Sequence, residues 1–142
     1  MATRSTNIGR VFEANEDPLY NDIPMIAADI IYEGSAVGES SSLGHARPHV
    51  SGDVFLGFAA AKADNSAGAA EAVNVRVRQQ GTVKLAVVGV ADTADIGASV
   101  YASDDDTFTL TSSTHTAIGK VVRHVSGTTC MVRFQALAVQ SL

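Results

Sequence analysis

From residue 26 onward, apolar and polar positions alternate with a period of two between turns rich in Gly, Ser and Asp. That is the pattern of short β-strands with one wet face. Val73, Val75 and Val77 share one face of such a segment, and Asn74, Arg76 and Arg78 share the other. Cys130, Val132, Phe134 and Ala136 likewise oppose Thr129, Met131, Arg133 and Gln135. Shorter alternations set Val83, Leu85 and Val87 against Thr82, Lys84 and Ala86, and Phe108 and Leu110 against Thr107, Thr109 and Thr111. The runs 29–33, 53–58, 99–102 and 117–125 are less regular but rich in Ile, Val, Phe and Tyr, which predicts strands buried more evenly. The count is about eight strands of ordinary length. No long amphipathic helix is available to cover a sheet, so the expected fold is all-β: a small antiparallel barrel or sandwich.

Two stretches read as connections. Ala59 to Ala72 is Ala-rich, but Asp64-Asn65-Ser66-Ala67-Gly68 interrupts it, which leaves at most one helical turn in a long loop. Gly38 to Gly52 is a Ser/Gly segment in which Pro48 holds Arg47 extended. Residues 1–25 lack sustained apolar periodicity and carry a turn signal at Asn15-Glu16-Asp17-Pro18. They read as an extended N-terminal arm outside a single barrel-like domain, 26–142. The arm nevertheless holds Ile8, Val11, Phe12, Leu19, Tyr20 and Ile23, apolar residues suited to anchoring on another surface. There is also an internal echo. The strings at 30–32, 55–58 and 75–77 recur in order at 99–101, 117–120 and 132–134, which suggests two similar three-stranded units.

Composition sharpens this picture. Ala and Val supply 22 and 17 of the apolar residues and Trp none, so the core is thin. Val, Ile and Thr total 35, which favours pleated surfaces over helices. No apolar run approaches the roughly 18 residues of a membrane helix, and the first residues lack the order of a secretory signal, so a soluble, unexported chain without a membrane partner is expected. The lone Cys130 has no intrachain disulfide partner. A net charge of -5 argues against nucleic acid, because neutralising phosphates needs clustered Lys and Arg. Residues 1–39 hold seven acids and two bases, Arg4 and Arg10, while the remainder is formally neutral.

Candidate chemistry is sparse. Neither a Gly-x-Ser-x-Gly elbow nor a phosphate-cradling Walker loop occurs. His45 and His49 have the i, i+4 spacing of zinc ligands on a helix, but Pro48 and Gly52 make the segment a loop without an accompanying ligand set. His115, His124 and Cys130 lack an orienting motif, and Cys130 falls on an apolar face as a small hydrophobe. Asp104-Asp105-Asp106 lacks the spacing of a calcium loop and reads as an acidic hairpin tip. Arg76, Arg78 and Arg133 share a polar face if their strands pair. They then form either a basic stripe for an acidic partner or a solvated face balanced by carboxylates. No catalytic residue, metal site or cofactor is expected.

Phe55-Leu56-Gly57-Phe58-Ala59, Asp64-Asn65-Ser66-Ala67-Gly68, Val75-Arg76-Val77-Arg78-Gln79-Gln80-Gly81, Asp95-Ile96-Gly97-Ala98-Ser99-Val100-Tyr101 and Ile118-Gly119-Lys120-Val121 resemble the capsid decoration, or cement, proteins of tailed bacteriophages. The resemblance spans roughly residues 26 to 136 and rests on turn glycines and strand residues; the acidic arm is less clearly matched. It implies a structural virion protein on the outer capsid surface, made in the bacterial cytoplasm and binding the major capsid protein in many copies. It also implies a homo-oligomer, a trimer before a dimer. In that setting Ile8, Arg10, Val11, Phe12, Leu19 and Tyr20 would contact capsid or sister subunits. The competing readings are a tail or head-fibre component, disfavoured by the few aromatics, and a small β-barrel hydrolase built around His115 or His124.

Overall fold

The computed structural model describes residues 4–40 and 44–137. The ends of the expected arm and domain at 1–3 and 138–142, and positions 41–43 of the Gly38 to Gly52 connection, lie outside the described residues. The protein is all-β. Its strands are β1 (Tyr20–Pro24), β2 (Asp29–Ile31), β3 (Ala36–Glu39), β4 (Ala46–Pro48), β5 (Val54–Ala59), β6 (Ala63–Asn65), β7 (Asn74–Arg78), β8 (Gln80–Val88), β9 (Ser99–Ala102), β10 (Phe108–Thr109), β11 (Thr116–Ser126) and β12 (Thr129–Gln135). A 3-10 turn, Thr93–Asp95, sits under an Asp92 capping box.

Five strands form a closed barrel in the order β10-β8-β12-β11-β9. Its longest ladder pairs β8 with β12, from Gln80 opposite Gln135 to Ala86 opposite Thr129. An odd-numbered barrel cannot alternate strand direction all the way round, so at least one neighbouring pair must be parallel. That pair is β8 with β10, which amends the expectation of a wholly antiparallel barrel. A second sheet runs β1-β7-β5-β3-β4, and β2 with β6 makes a small third one.

The alternations read from sequence fall where they were expected in β7, β8 and β12, with Val75, Val77, Val83, Leu85, Val87, Cys130, Val132 and Phe134 all buried. Both connections contain strands as well. β3 and β4 occupy parts of 36–48, and β6 lies within 59–72, where no helical turn forms. The helical turn lies at 93–95 instead.

Two cores result. One fills the barrel and takes in Phe55 and Phe58 of β5 and Ala36 of β3. The other joins Leu56 and Ala59 of the same β5 to Val37, Val75, Val77, Met25 and Ile31. Strict alternation would put Phe55 and Phe58 on opposite faces. A bulge prevents this: Val37 pairs with Gly57 while Gly38 pairs with Phe55. Gly57 adopts φ 125°, and a Cβ there would strike the Arg78 carbonyl. The extra residue turns both rings into the barrel and gives β5 two buried faces.

All five phenylalanines of the chain meet in one cluster. Phe58 stacks edge-on against Phe134 at 4.9 Å between ring centroids, and it also touches Phe55 at 5.7 Å and Phe108 at 5.8 Å. Phe12, from the arm, lies 6.0 Å from Phe134.

The internal echo is partly structural. β5 pairs antiparallel with β7 as β11 does with β12, and Gly119, like Gly57, sits at a register shift with its partner strand's carbonyl, that of Arg133, in the place of a Cβ. The first members differ, because β9 pairs with β11 whereas β2 pairs with β6.

Phe58 is fully buried and touches three other phenylalanine rings, so Phe58→Ala is expected to cost about 3–5 kcal/mol. Val88→Ala, at an exposed position, should change stability by no more than about 0.5 kcal/mol. Urea unfolding of the two variants measures the difference; a Phe58→Ala loss as small as that of Val88→Ala would contradict this packing.

Candidate functional site

The boundary drawn at residue 25 does not divide the structure. Tyr20–Pro24 is an edge strand paired with β7, from Tyr20 opposite Arg78 to Pro24 opposite Asn74, and Met25 is fully buried. Residues 4–19 are not an arm outside the core either: they cross the barrel as a strap. Ile8 N donates to the Glu33 carbonyl at 2.9 Å, Glu13 N to Thr82 O at 2.9 Å, and Lys84 N to Val11 O at 2.9 Å. Phe12 bridges Val83 of β8.

Side chains fasten the strap by exchanging charge with the barrel. Arg4 and Arg10 reach the two oxygens of Asp106, each at 2.7 Å. Glu13 meets Arg123 at 2.6 Å. Glu16 accepts from Thr82 N at 2.6 Å, Thr82 Oγ1 at 2.9 Å and Arg133 Nη1 at 3.1 Å. The exposed Glu13–Arg123 pair contributes little by itself, whereas the Arg4, Arg10 and Glu16 contacts are part-buried, and together they reinforce an aromatic anchor. The Arg10 guanidinium lies 5.7 Å from the Phe58 centroid and 5.6 Å from that of Phe108, and Arg78 stands 4.2 Å over Phe12.

The six arm residues expected to bind a partner therefore divide. Arg10 and Phe12 turn toward the barrel, Ile8 is half-buried, and all three line a cavity of about 120 Å³ beneath the strap with Phe58 and Arg78. Val11 and Leu19 face outward, exposed by 58% and 39%, while Tyr20 is 41% exposed and also lines that cavity. The three arginines do not form one open stripe. β7 and β12 belong to different sheets, and each guanidinium already has an N-terminal partner: Arg76 over Tyr20 at 4.8 Å, Arg78 over Phe12, and Arg133 at Glu16. Sequence reasoning placed Arg10 among outward contacts because a charged residue scores as polar. Its alternation with Ile8 and Phe12 was the available signal for an inward face.

The Asp104–Asp106 turn is the part of the strap's seat that the sequence least announced. It joins β9 to β10 as a hairpin, yet Asp104 and Asp105 are buried. Asp105 Oδ2 accepts from Arg4 N at 2.9 Å, and its buried Oδ1 has no hydrogen-bond partner among the described residues. The Asp105 carbonyl accepts from Ala36 N at 2.8 Å, and Asp104 bridges Val50. Burial pushes the Asp105 carboxyl up to about 6, against the Arg4 amide, which favours its charge.

The other reactive groups are dispersed. His45 Nε2 meets Glu71 at 2.9 Å, while His49 is buried edge-on to Phe55 with ring centroids 6.3 Å apart; the two flank β4 rather than a plain loop. His115 Nδ1 meets Ser51 Oγ at 2.9 Å, but among the described residues no carboxylate orients that ring. His124 Nε2 meets the Gly127 carbonyl at 3.0 Å. Cys130 is fully buried, which raises its thiol pKa. Arg47 clamps Asp53 through Nε at 3.0 Å and Nη2 at 2.7 Å, a structural fork that raises the arginine pKa.

Phe12→Ala is expected to loosen the strap alone: tryptic cleavage after Arg10 should speed up about tenfold or more, given a loss of a few kcal/mol, while the barrel's circular dichroism is unchanged. Unaltered cleavage would contradict the anchoring. Burial lowers the His49 pKa below its ordinary 6.5, opposed by Asp53 and Asp104. The unfolded chain binds that proton more readily. The His49 contribution is thus present above pH 6.5 and lost as pH falls through the lowered folded value. Folding free energy followed from pH 7.5 to 5 should decline less steeply in His49→Gln than in the native protein, and an equal slope would refute the assignment.

Comparison with protein-family models and with curated proteins found no match to this chain.

Proposed function

We propose that this protein is a structural virion component, a capsid decoration protein that binds the outer surface of a mature phage capsid and bridges neighbouring copies of the major capsid protein. The phage setting rests on the resemblance of the strand and turn motifs between residues 55 and 121 to cement proteins. The geometric observation that carries a surface-binding role is the outward set Val11, Leu19 and Tyr20, which continues from the strap onto the exposed edge strand β1. A strand edge offers unpaired backbone groups beside apolar side chains, the combination that pairs with an incoming extended segment.

Binding only the assembled shell stabilises it by mass action, without chemistry at any reactive group. An oligomer, with a trimer favoured over a dimer, multiplies modest contacts through effective concentration. Contact is made at the strap and sheet edge of a folded unit. Because residues 4–24 are docked on their own chain, the contact does not require an arm reaching far across the capsid.

The test is cosedimentation with mature capsids and with unexpanded procapsids. Selective binding to mature shells is expected, and Val11→Asp with Leu19→Asp should weaken it by about tenfold or more at unchanged melting temperature. Truncation through residue 22 is unsuitable because it removes most of β1. Equal binding to both shells, or full occupancy by the double variant, would contradict the proposal.

A further inference from the structure

Three neighbouring strands set Tyr20, Arg78 and Phe58 in a row beneath the strap. Tyr20 stands directly opposite Arg78 across β1 and β7, and Phe58 stands opposite Arg78 across β5 and β7. Direct cross-strand neighbours project to the same face, and all three line the cavity of about 120 Å³ that the strap covers with Ile8, Arg10 and Phe12. That space is well above the roughly 15 Å³ one water needs and well below the roughly 300 Å³ of a drug-sized site, so it suits a group of a few non-hydrogen atoms.

The two guanidiniums on its wall are not alike. Arg10 is committed: Nε donates to the Gly34 carbonyl at 2.9 Å, and Nη2 pairs with Asp106 at 2.7 Å. Arg78 has no carboxylate partner among the described residues. Its Nε donates to the Gln80 carbonyl at 3.1 Å, and one face lies over the Phe12 ring. Its buried Nη2, packed over Gly81, has no hydrogen-bond partner among the described residues. A guanidinium keeps its proton at any ordinary pH, so this half-buried charge has no neutral form to retreat to. An aromatic face offsets part of a cation's desolvation, and an anion offsets more. Glu33 also lines the cavity, yet it makes no ion pair with either arginine.

We infer that the cavity beneath the strap is a binding site for a small carboxylate, held by the charge of Arg78. One uncompensated positive charge calls for a monoanion, and walls supplied by Ile8, Phe12 and Phe58 suit a group with an apolar end better than a phosphate. The same chemistry has two sources, a free small carboxylate or the end of an Asp or Glu side chain on a partner. Tyr20 belongs both to the cavity wall and to the exposed edge of β1, so a segment lying along that edge has the cavity beside it. Only the second source rests on the proposed function. The site itself belongs to the isolated chain.

The test is titration of the full chain with sodium acetate at constant ionic strength, followed by two-dimensional amide NMR, with acetamide as the neutral isostere. The backbone amides of Gly34, Ala59 and Ala60, on the cavity wall, are expected to shift saturably with acetate and not with acetamide. Arg78→Gln should weaken acetate binding about tenfold or more. Because Arg78 also packs on Phe12, a second variant separates lost charge from a loosened strap: Glu33→Gln removes the wall's own carboxylate and should tighten acetate binding about threefold, a gain that a damaged fold does not produce. Shifts that stay linear in acetate, an equal response to acetamide, unchanged affinity in Arg78→Gln, or no tightening in Glu33→Gln would each overturn the site. Cosedimentation then distinguishes the sources. Saturating acetate and Arg78→Gln both lower capsid occupancy if a partner's acidic side chain fills the cavity, and both leave it unchanged if the ligand is a free carboxylate. The acetate result holds or fails whether or not the protein binds capsids.

Discussion

The edge-to-face packing of Phe58 against Phe134 is the contact on which the other parts converge. Phe58 comes from the second sheet and Phe134 from the barrel, while Phe12 brings in the strap and Phe108 the short strand that closes the barrel. A chain whose apolar content is mostly Ala and Val has few large side chains, and it commits every phenylalanine to this junction. Aromatic pairs in this geometry contribute about 0.5–1.5 kcal/mol each beyond the area they bury. Arg10 and Arg78 add cationic faces to the same rings, which is why two residues that look solvent-bound in sequence are structural.

The junction depends on a local departure from regular strand geometry. Without the bulge at Leu56 and Gly57, Phe55 or Phe58 would leave the barrel, and β5 could not serve two cores. The surface follows from the same arrangement. Because Phe12 is drawn inward, its neighbour Val11 points out, and because β1 pairs with β7 on one side only, Leu19 and Tyr20 remain at an open edge.

How far the sequence revealed this varied by element. The alternations in β7, β8 and β12 were plain because each strand buries one face and wets the other. β3, β4 and β6 have three or four residues, too few for a period of two to stand out among Ser and Gly. β1 was hidden because its first three residues are exposed, so no apolar face marks it as a strand. For the candidate surface, the sequence singled out the segment without dividing it: the fold turns Val11 and Leu19 outward and Arg10 and Phe12 inward. The Asp104–Asp106 turn read as a solvated tip because nothing in a run of acids signals that a strap from about a hundred residues away will cover it.

The role proposed for this protein is to tie together surfaces of an assembled shell. Its most direct measurement is the temperature at which purified, DNA-filled particles release their genome, compared with and without the protein. Particles carrying it should withstand a higher temperature, and adding the protein back to bare particles should restore the difference. Particles that disrupt at the same temperature in both states would contradict the claim.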